Sequence, residues 1–196
     1  MSIPRKRVLT SEQMAGYEEL GLVHSIPILT PEEVRYYRDL LEKTWSAFGG
    51  RVTRANGLHL FFRWAWDLAT HPRLLDCLED LIGPVIVLRH TRIFYKYAKS
   101  AARVGWHQDG SREQLTDARV PTIWLGLTNA TVENGCLRVV PRSHRLGMLS
   151  HRSRQNHHDL ANSSISGPEP GSVAVEDHDP SDKPAKLAEE IGRAHV

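Results

Sequence analysis

The strongest constraint on what this chain can fold into is a change of period at Gly83-Pro84. Before that point apolar residues recur every three or four positions, and after it they alternate. Periods of 3.6 and 2 belong to helices and strands, so the chain is read as a helical preface followed by short strands. Thr30-Pro31-Glu32-Glu33 is a strong helix start. It combines an N-cap threonine, a proline where no intrahelical N–H is needed, and a glutamate placed to reach back to the cap. Val34, Tyr37, Leu41, Trp45 and Phe48 follow at helical spacing, and Gly49-Gly50 stops the run. Thr70-His71-Pro72 opens another helix, whose Leu74, Leu75, Leu78, Leu81 and Ile82 form an apolar stripe. The aromatic block Phe61, Phe62, Trp64 and Trp66 between them is read as core.

Beyond Pro84, residues 85–97 are rich in β-branched and aromatic side chains. His90, Arg92, Phe94 and Lys96 share one face, and Arg89, Thr91, Ile93 and Tyr95 the other. Residues 104–109, 121–128 and 136–140 are read as further strands, with Asn134-Gly135 as a hairpin turn. Helices first and several short strands after them predict an α+β fold on a sandwich or jelly roll, without a second domain. At 196 residues and 40% hydrophobic content, the chain is long enough to bury a core without staples.

Charge and cysteine usage exclude several classes of partner. The 25 basic and 23 acidic residues leave a net charge of +2, so no general attraction to nucleic acid or anionic membrane is expected. The cluster Arg142, Arg145, Arg152 and Arg154 is read as a solvated loop. No apolar run is long enough to span a bilayer, and no apolar segment follows the basic N-terminus as a secretory signal would. Cys77 and Cys136 are expected to be reduced, packed thiols in a cytoplasmic protein.

The residues that carry chemistry are His107 and Asp109. Two apart on a strand, they would present an imidazole and a carboxylate to one site. Together they make two of the three ligands of a 2-His-1-carboxylate triad, which holds Fe(II) by one face and leaves the others open. A His-x-Asp pair is a short pattern, and His157-His158-Asp159 also contains it, in a chain with 11 histidines. Context favours the first pair, which follows a β-rich segment and is flanked by Trp106 and Gly110. A Zn(II) hydrolase would need a third ligand and a nearby base such as Glu133, and no spacing supplies them. In a non-catalytic jelly-roll binding module the two side chains would simply hydrogen-bond inside the barrel.

The segments WHQDG (106–110) and TIWLGLTNATVENGCLRVVPRSHRLGML (122–149) closely resemble the phytanoyl-CoA dioxygenase family of Fe(II)/2-oxoglutarate oxygenases. The order is specific: His-x-Asp, a strand bearing a tryptophan, an Asn-Gly turn, then a Pro-x-Ser-His segment. The resemblance covers roughly residues 8–189. It implies a double-stranded β-helix, cupin-like core with the N-terminal helices packed on it. On that basis residues 1–189 form one oxygenase domain, with the preface at about 1–83 and the jelly-roll strands at about 84–189. It also implies that His107 and Asp109 bind iron, that Gln108 and Trp124 lie against 2-oxoglutarate, and that Arg92 lines the co-substrate pocket.

The same resemblance implies hydroxylation of a small organic substrate by O2, with release of succinate and CO2. Halogenating relatives carry a small residue in place of the carboxylate, and Asp109 is retained here. Ser143-His144 corresponds to the family's Pro-Gly-Ser-His segment with Arg142 in place of glycine, so His144 is expected to be structural. The loops at 98–103 and 110–119 are expected to border the cavity mouth. Arg103 and Arg112 there would face either an anionic substrate or solvent.

The family's distal histidine and the arginine that pairs with 2-oxoglutarate come later than anything matched here. Ser172-Val173-Ala174-Val175-Glu176 resembles the strand just before that region, and His178 and His195 lie outside the family context. The last residues, Glu190-Ile191-Gly192-Arg193-Ala194-His195-Val196, are what a widely used sequencing-library adapter encodes. The expectation is therefore a domain incomplete at its C-terminus, with residues 190–196 non-native and the chain by itself inactive.

Overall fold

A computed structural model describes residues 7–50, 54–95, 104–109, 120–153, 163–165 and 173–175. Helices α1 (Ser11–Leu20), α2 (Pro31–Ala47), α3 (Arg63–Ala69) and α4 (Pro72–Ile82) precede most of the strands, as the change of period predicts. Strands β1 (Arg54–Asn56), β2 (Arg92–Phe94), β3 (Leu137–Val139), β4 (His151–Ser153), β5 (Ser163–Ile165) and β6 (Val173–Val175) form three antiparallel pairs among the described residues: β1 with β2, β3 with β6 and β4 with β5.

The helix starts follow from local chemistry. At α2 the Glu33 N–H donates to Thr30 Oγ1 (3.2 Å) and the Thr30 N–H donates to Glu33 Oε2 (2.8 Å), a reciprocal cap that satisfies two otherwise orphaned donors. Thr10 and Gln13 repeat this arrangement at α1. At α4 His71 is the cap residue but makes no side-chain cap bond, and Pro72 alone sets the first turn. Asp80 on α4 accepts the N–H groups of Val8 and Leu9 (2.8 and 3.0 Å), fastening the N-terminal segment along that helix.

The core forms where α2 meets α3 and β2. Tyr37, Leu41, Trp45, Leu58, Ala65 and Leu127 are buried together, with Phe62, Trp64, Ile93 and Tyr95 packed against them. Trp45 stacks on Tyr95 with ring centroids 5.4 Å apart, so the helical preface is bonded to the first strand pair by aromatic surface. The aromatic block divides rather than being core throughout. Phe62 and Trp64 join the core, whereas Phe61 is 77% exposed and Trp66 is 45% exposed beside the His59 ring. The reason is local: a short 3-10 turn (Leu58–Leu60) ends at Phe61 and α3 starts at Arg63, so consecutive aromatics leave the backbone in opposite directions. Cys77 and Cys136 are buried and not joined in a disulfide, as expected of packed thiols.

The strands are shorter than the alternation predicts. Within 85–95 only Arg92–Phe94 enters a ladder, and Val85 and Val87 are 86% and 82% exposed. A half-buried strand needs a packed face, and these two valines have none. Residues 120–126 enter no ladder among the described residues. The Asn134-Gly135 turn forms: Gly135 has φ +83°, the Cys136 N–H donates to Thr131 O, and Asn134 binds the main chain of Thr131 and Asn129. Among the described residues it closes no ladder between 121–128 and 136–140, and β3 pairs with the distant β6. A strand at Val173–Val175 stands where the resemblance places one. Among the described residues no helix is long and apolar enough to cross a membrane.

The segment after β3 docks on the C-terminus of α1. Arg142 N–H donates to Leu20 O, and both His144 Nε2 and Arg145 donate to Glu18 O. Arg142 and Arg145 also pair with Glu19 (2.8 and 2.6 Å). These two arginines are exposed, as in a solvated loop, but they are tied to the helix end: terminal carbonyls and the negative end of the helix dipole attract cations. His144 is structural, as expected, but its backbone partner is more than a hundred residues away in sequence. Gly21, at φ +81°, admits the ring, since a Cβ there would overlap His144.

Two predictions follow from this packing. Replacing Leu41 by alanine should cost about 2–5 kcal/mol in urea denaturation, whereas Phe61→Ser should change stability by less than about 0.5 kcal/mol. Hydrogen bonds from Arg145 and then Arg142 hold the Glu19 carboxyl below the usual glutamate value of 4.5. Its contribution to stability is thus present at neutral pH and is lost as pH falls through that lowered value. Below about pH 4.5, Glu19→Gln should therefore show a shallower decline of stability than the parent chain in acid denaturation followed by circular dichroism.

Candidate functional site

Residues 104–109 carry the sequence-predicted pair, and they do so without the strand that the pattern suggested. The backbone is irregular through Trp106 and tightens into a turn at Asp109. Even so the two side chains converge. His107 Nε2 lies 3.3 Å from Asp109 Oδ1, with the His107 side chain 1% and that of Asp109 24% exposed. The convergence is set by hydrogen bonds around each group rather than by a pleat.

His107 is oriented from its own loop. Its Nδ1–H donates to Gly105 O at 2.8 Å, which leaves Nε2 facing the carboxylate. A bond from one ring nitrogen to a backbone carbonyl is the usual way a protein fixes which nitrogen is left for a cation. Asp109 is oriented from the neighbouring segment: Thr122 Oγ1 donates to Asp109 Oδ2 at 2.6 Å, so Oδ1 is the oxygen left toward His107. Two donors each ~2.0–2.2 Å from a common ion at right angles stand about 3 Å apart, close to the separation found here. The donor types, their separation and the ring orientation all fit a divalent cation. Among the described residues no group of three or more His, Cys, Asp or Glu side chains is arranged to hold a metal.

Gln108, between the two, faces the other way. Its Nε2 donates to Gly147 O (2.9 Å), its Oε1 accepts the Leu149 N–H (2.8 Å), and its own N–H donates to His151 Nε2 (2.9 Å). Its amide is thus tied to the chain at 147 and 149. Trp124 is half-buried and its indole lies over Gly126, where a Cβ would come within 3.3 Å of the ring. Arg92 sits on β2 and donates from Nε to Asn56 Oδ1 across the β1–β2 pair. Trp106 carries the Arg138 guanidinium 6.0 Å above its ring.

Three residues near the pair were not singled out from the sequence. Thr122 and His151 make the bonds just described; Thr122 opens the 122–149 segment but its residue type carries no chemical signal there, and His151 lies just beyond that segment. His90 is the third. Burial, then the charges of Arg92 and Arg89, hold its imidazole below the ordinary histidine range, while Asp109 acts in the opposite direction. His90 therefore lies within electrostatic reach of the Asp109 carboxylate. The loop residues Arg103 and Arg112, the second His-x-Asp at 157–159, His178, His195 and the tail 190–196 fall outside the described residues.

Several known proteins are similar to this chain. A methylphosphonate hydroxylase of Gimesia maris is 26% identical over 156 residues, which are 72% of this chain and 59% of that protein. An ectoine dioxygenase of Nocardia farcinica is 25% identical over 152 residues, 69% of this chain and 51% of the relative. A probable alpha-ketoglutarate-dependent hypophosphite dioxygenase of Stutzerimonas stutzeri is 29% identical over 102 residues, 52% of this chain and 35% of its own length. The chain thus spans about a third to three fifths of these curated relatives. Among solved structures, the apo form of the non-heme monooxygenase ThoJ superimposes with a TM-score of 0.63 at 25% identity, covering 84% of this chain and 64% of that one. The family model for phytanoyl-CoA dioxygenase (PhyH) matches residues 17–190, most of the chain, and the chain belongs to that family.

Proposed function

We propose that this chain carries the proximal half of the iron site of an Fe(II)/2-oxoglutarate-dependent hydroxylase built on a double-stranded β-helix. The observation that carries the proposal is the 3.3 Å approach of His107 Nε2 to Asp109 Oδ1, with the opposite ring nitrogen already bonded to Gly105 O. In a non-catalytic module the two side chains would need only to satisfy each other. Here each is also held from behind, by Gly105 and by Thr122, with His107 Nε2 and Asp109 Oδ1 turned toward each other.

The parts played by the chain's own residues follow. His107 offers a neutral nitrogen, and Asp109 offers one carboxylate oxygen while Thr122 engages the other. Gln108 positions both through its bonds to Gly147 and Leu149. Trp124 and Arg92 are proposed to border the co-substrate, with the Arg92 Nε already bonded to Asn56. Iron together with 2-oxoglutarate and O2 supplies the oxidising chemistry, which returns succinate, CO2 and a hydroxylated product. A third ligand and an arginine for the far carboxylate of 2-oxoglutarate have no counterpart identified among the described residues, so metal binding is tested before turnover. The named relatives act on methylphosphonate, hypophosphite and ectoine, which share little beyond being small and polar, and a small polar substrate is the class proposed here.

The test is an anaerobic titration with Co(II) as the spectroscopic stand-in for Fe(II). The chain should bind one equivalent, and His107→Ala and Asp109→Ala should each abolish binding. Thr122→Val should weaken it about tenfold, the usual consequence of removing the partner that orients a ligand. Binding that survives loss of both His107 and Asp109 would overturn the assignment.

A further inference from the structure

We infer that His151 is a positioning residue for the His107–Asp109 pair, acting through the main chain of Gln108. This inference rests on the iron-site reading, and its test separates the two. The structural basis is a closed set of four hydrogen bonds. The His151 Nδ1–H donates to Leu149 O at 2.8 Å. A carbonyl accepts only from a protonated nitrogen, so His151 Nε2 is left as an acceptor, and it takes the Gln108 N–H at 2.9 Å. The Gln108 side chain completes the set by donating to Gly147 O and accepting the Leu149 N–H.

The arrangement answers a specific structural need. Residues 104–109 have no ladder partner among the described residues, so the N–H of Gln108, a buried residue, requires an acceptor from elsewhere. A neighbouring strand would normally supply a carbonyl. Here the imidazole of His151 supplies a nitrogen in its place, from the first residue of β4. Because Gln108 lies between the two cation-facing residues, fixing its N–H and its side-chain amide fixes the backbone on which both are mounted. The two bonds of His151 in this set go to Gln108 and Leu149, the residue between the pair and a main-chain carbonyl, which makes its role positioning rather than ligation.

Isosteric logic separates this role from simple packing at the start of β4. The Asn side-chain nitrogen can occupy the place of Nδ1 and keep the bond to Leu149 O, but it is too short to reach Gln108. A glutamine oxygen can occupy the place of Nε2 and keep the bond to the Gln108 N–H. Under the positioning role His151→Gln should behave like the parent chain, and His151→Asn should behave like His151→Phe. Two readouts decide: hydrogen exchange of the Gln108 amide in the metal-free chain, and Co(II) affinity.

In His151→Phe and His151→Asn, Gln108 exchange should accelerate about tenfold, the equivalent of one lost hydrogen bond. Co(II) affinity should fall about tenfold in the same two variants and stay near the parent value in His151→Gln. Equal losses in all three variants, tracking their melting temperatures, would mean a packing role and would overturn the inference. So would Co(II) affinity in His151→Phe equal to that of the parent chain, or an unprotected Gln108 amide in the parent chain itself. If Gln108 exchange follows the expected order while His107→Ala binds Co(II) as the parent does, the clamp stands and the iron assignment falls.

Discussion

The site depends on a residue that points away from it. Gln108 has its N–H, its side-chain oxygen and its side-chain nitrogen all bonded to the segment 147–151. In a regular sheet, alternate ladder bonds would hold such a segment and the pleat would place residues 107 and 109 together. Here the ladder is replaced by side-chain chemistry, and the fastening of the intervening residue adds to the bonds from Gly105 and Thr122 that orient the pair. The free energy involved is modest per bond, about 1 kcal/mol for each typical hydrogen bond, but the cost of leaving a buried donor unmet is larger. That asymmetry gives the arrangement its rigidity: opening any one bond strands a polar group.

The fastening segment is itself anchored at its other end. Residues 142–145 cap the C-terminus of α1 through Glu18, Glu19 and Leu20, and residues 147–151 hold Gln108. A stretch of ten residues thus joins the first helix of the preface to the candidate metal ligands. Arg142 takes the left-handed conformation at its start, with φ +66°. A non-glycine residue is disfavoured there by roughly 1–2 kcal/mol, and the resemblance places glycine at this position. Its guanidinium bonds to Glu19, an interaction that glycine cannot make and that partly offsets the backbone cost.

The sequence exposed some of this and concealed the rest for physical reasons. Local rules read α2 and its cap correctly, because Thr30 and Glu33 need only each other. The Asn134-Gly135 turn was legible for the same reason, while its pairing was not: β3 chooses a partner more than thirty residues later, and alternation says nothing about partner choice. His107 and Asp109 were found by residue type and order, and their mutual approach agrees with that reading, although the strand inferred as its cause is absent. Thr122 and His151 were invisible because each acts through one hydrogen bond to a residue distant in the chain. No composition or period records such a bond.

These departures from local rules fall close together. The irregular backbone at 104–109, the buried imidazole of His107, the buried amide of Gln108 and the left-handed Arg142 all lie on or beside the 142–151 segment. Sequences that specify one fold keep propensity, pattern and packing in agreement, and they break that agreement where function requires a particular geometry. The helical preface shows the ordinary case, with caps, apolar stripe and core consistent with one another. By contrast the region around Gln108 gives up a ladder, buries polar groups and twists an arginine into a glycine's conformation. These features fit the proposed site, in which a nitrogen and an oxygen would be held about 3 Å apart toward a single cation.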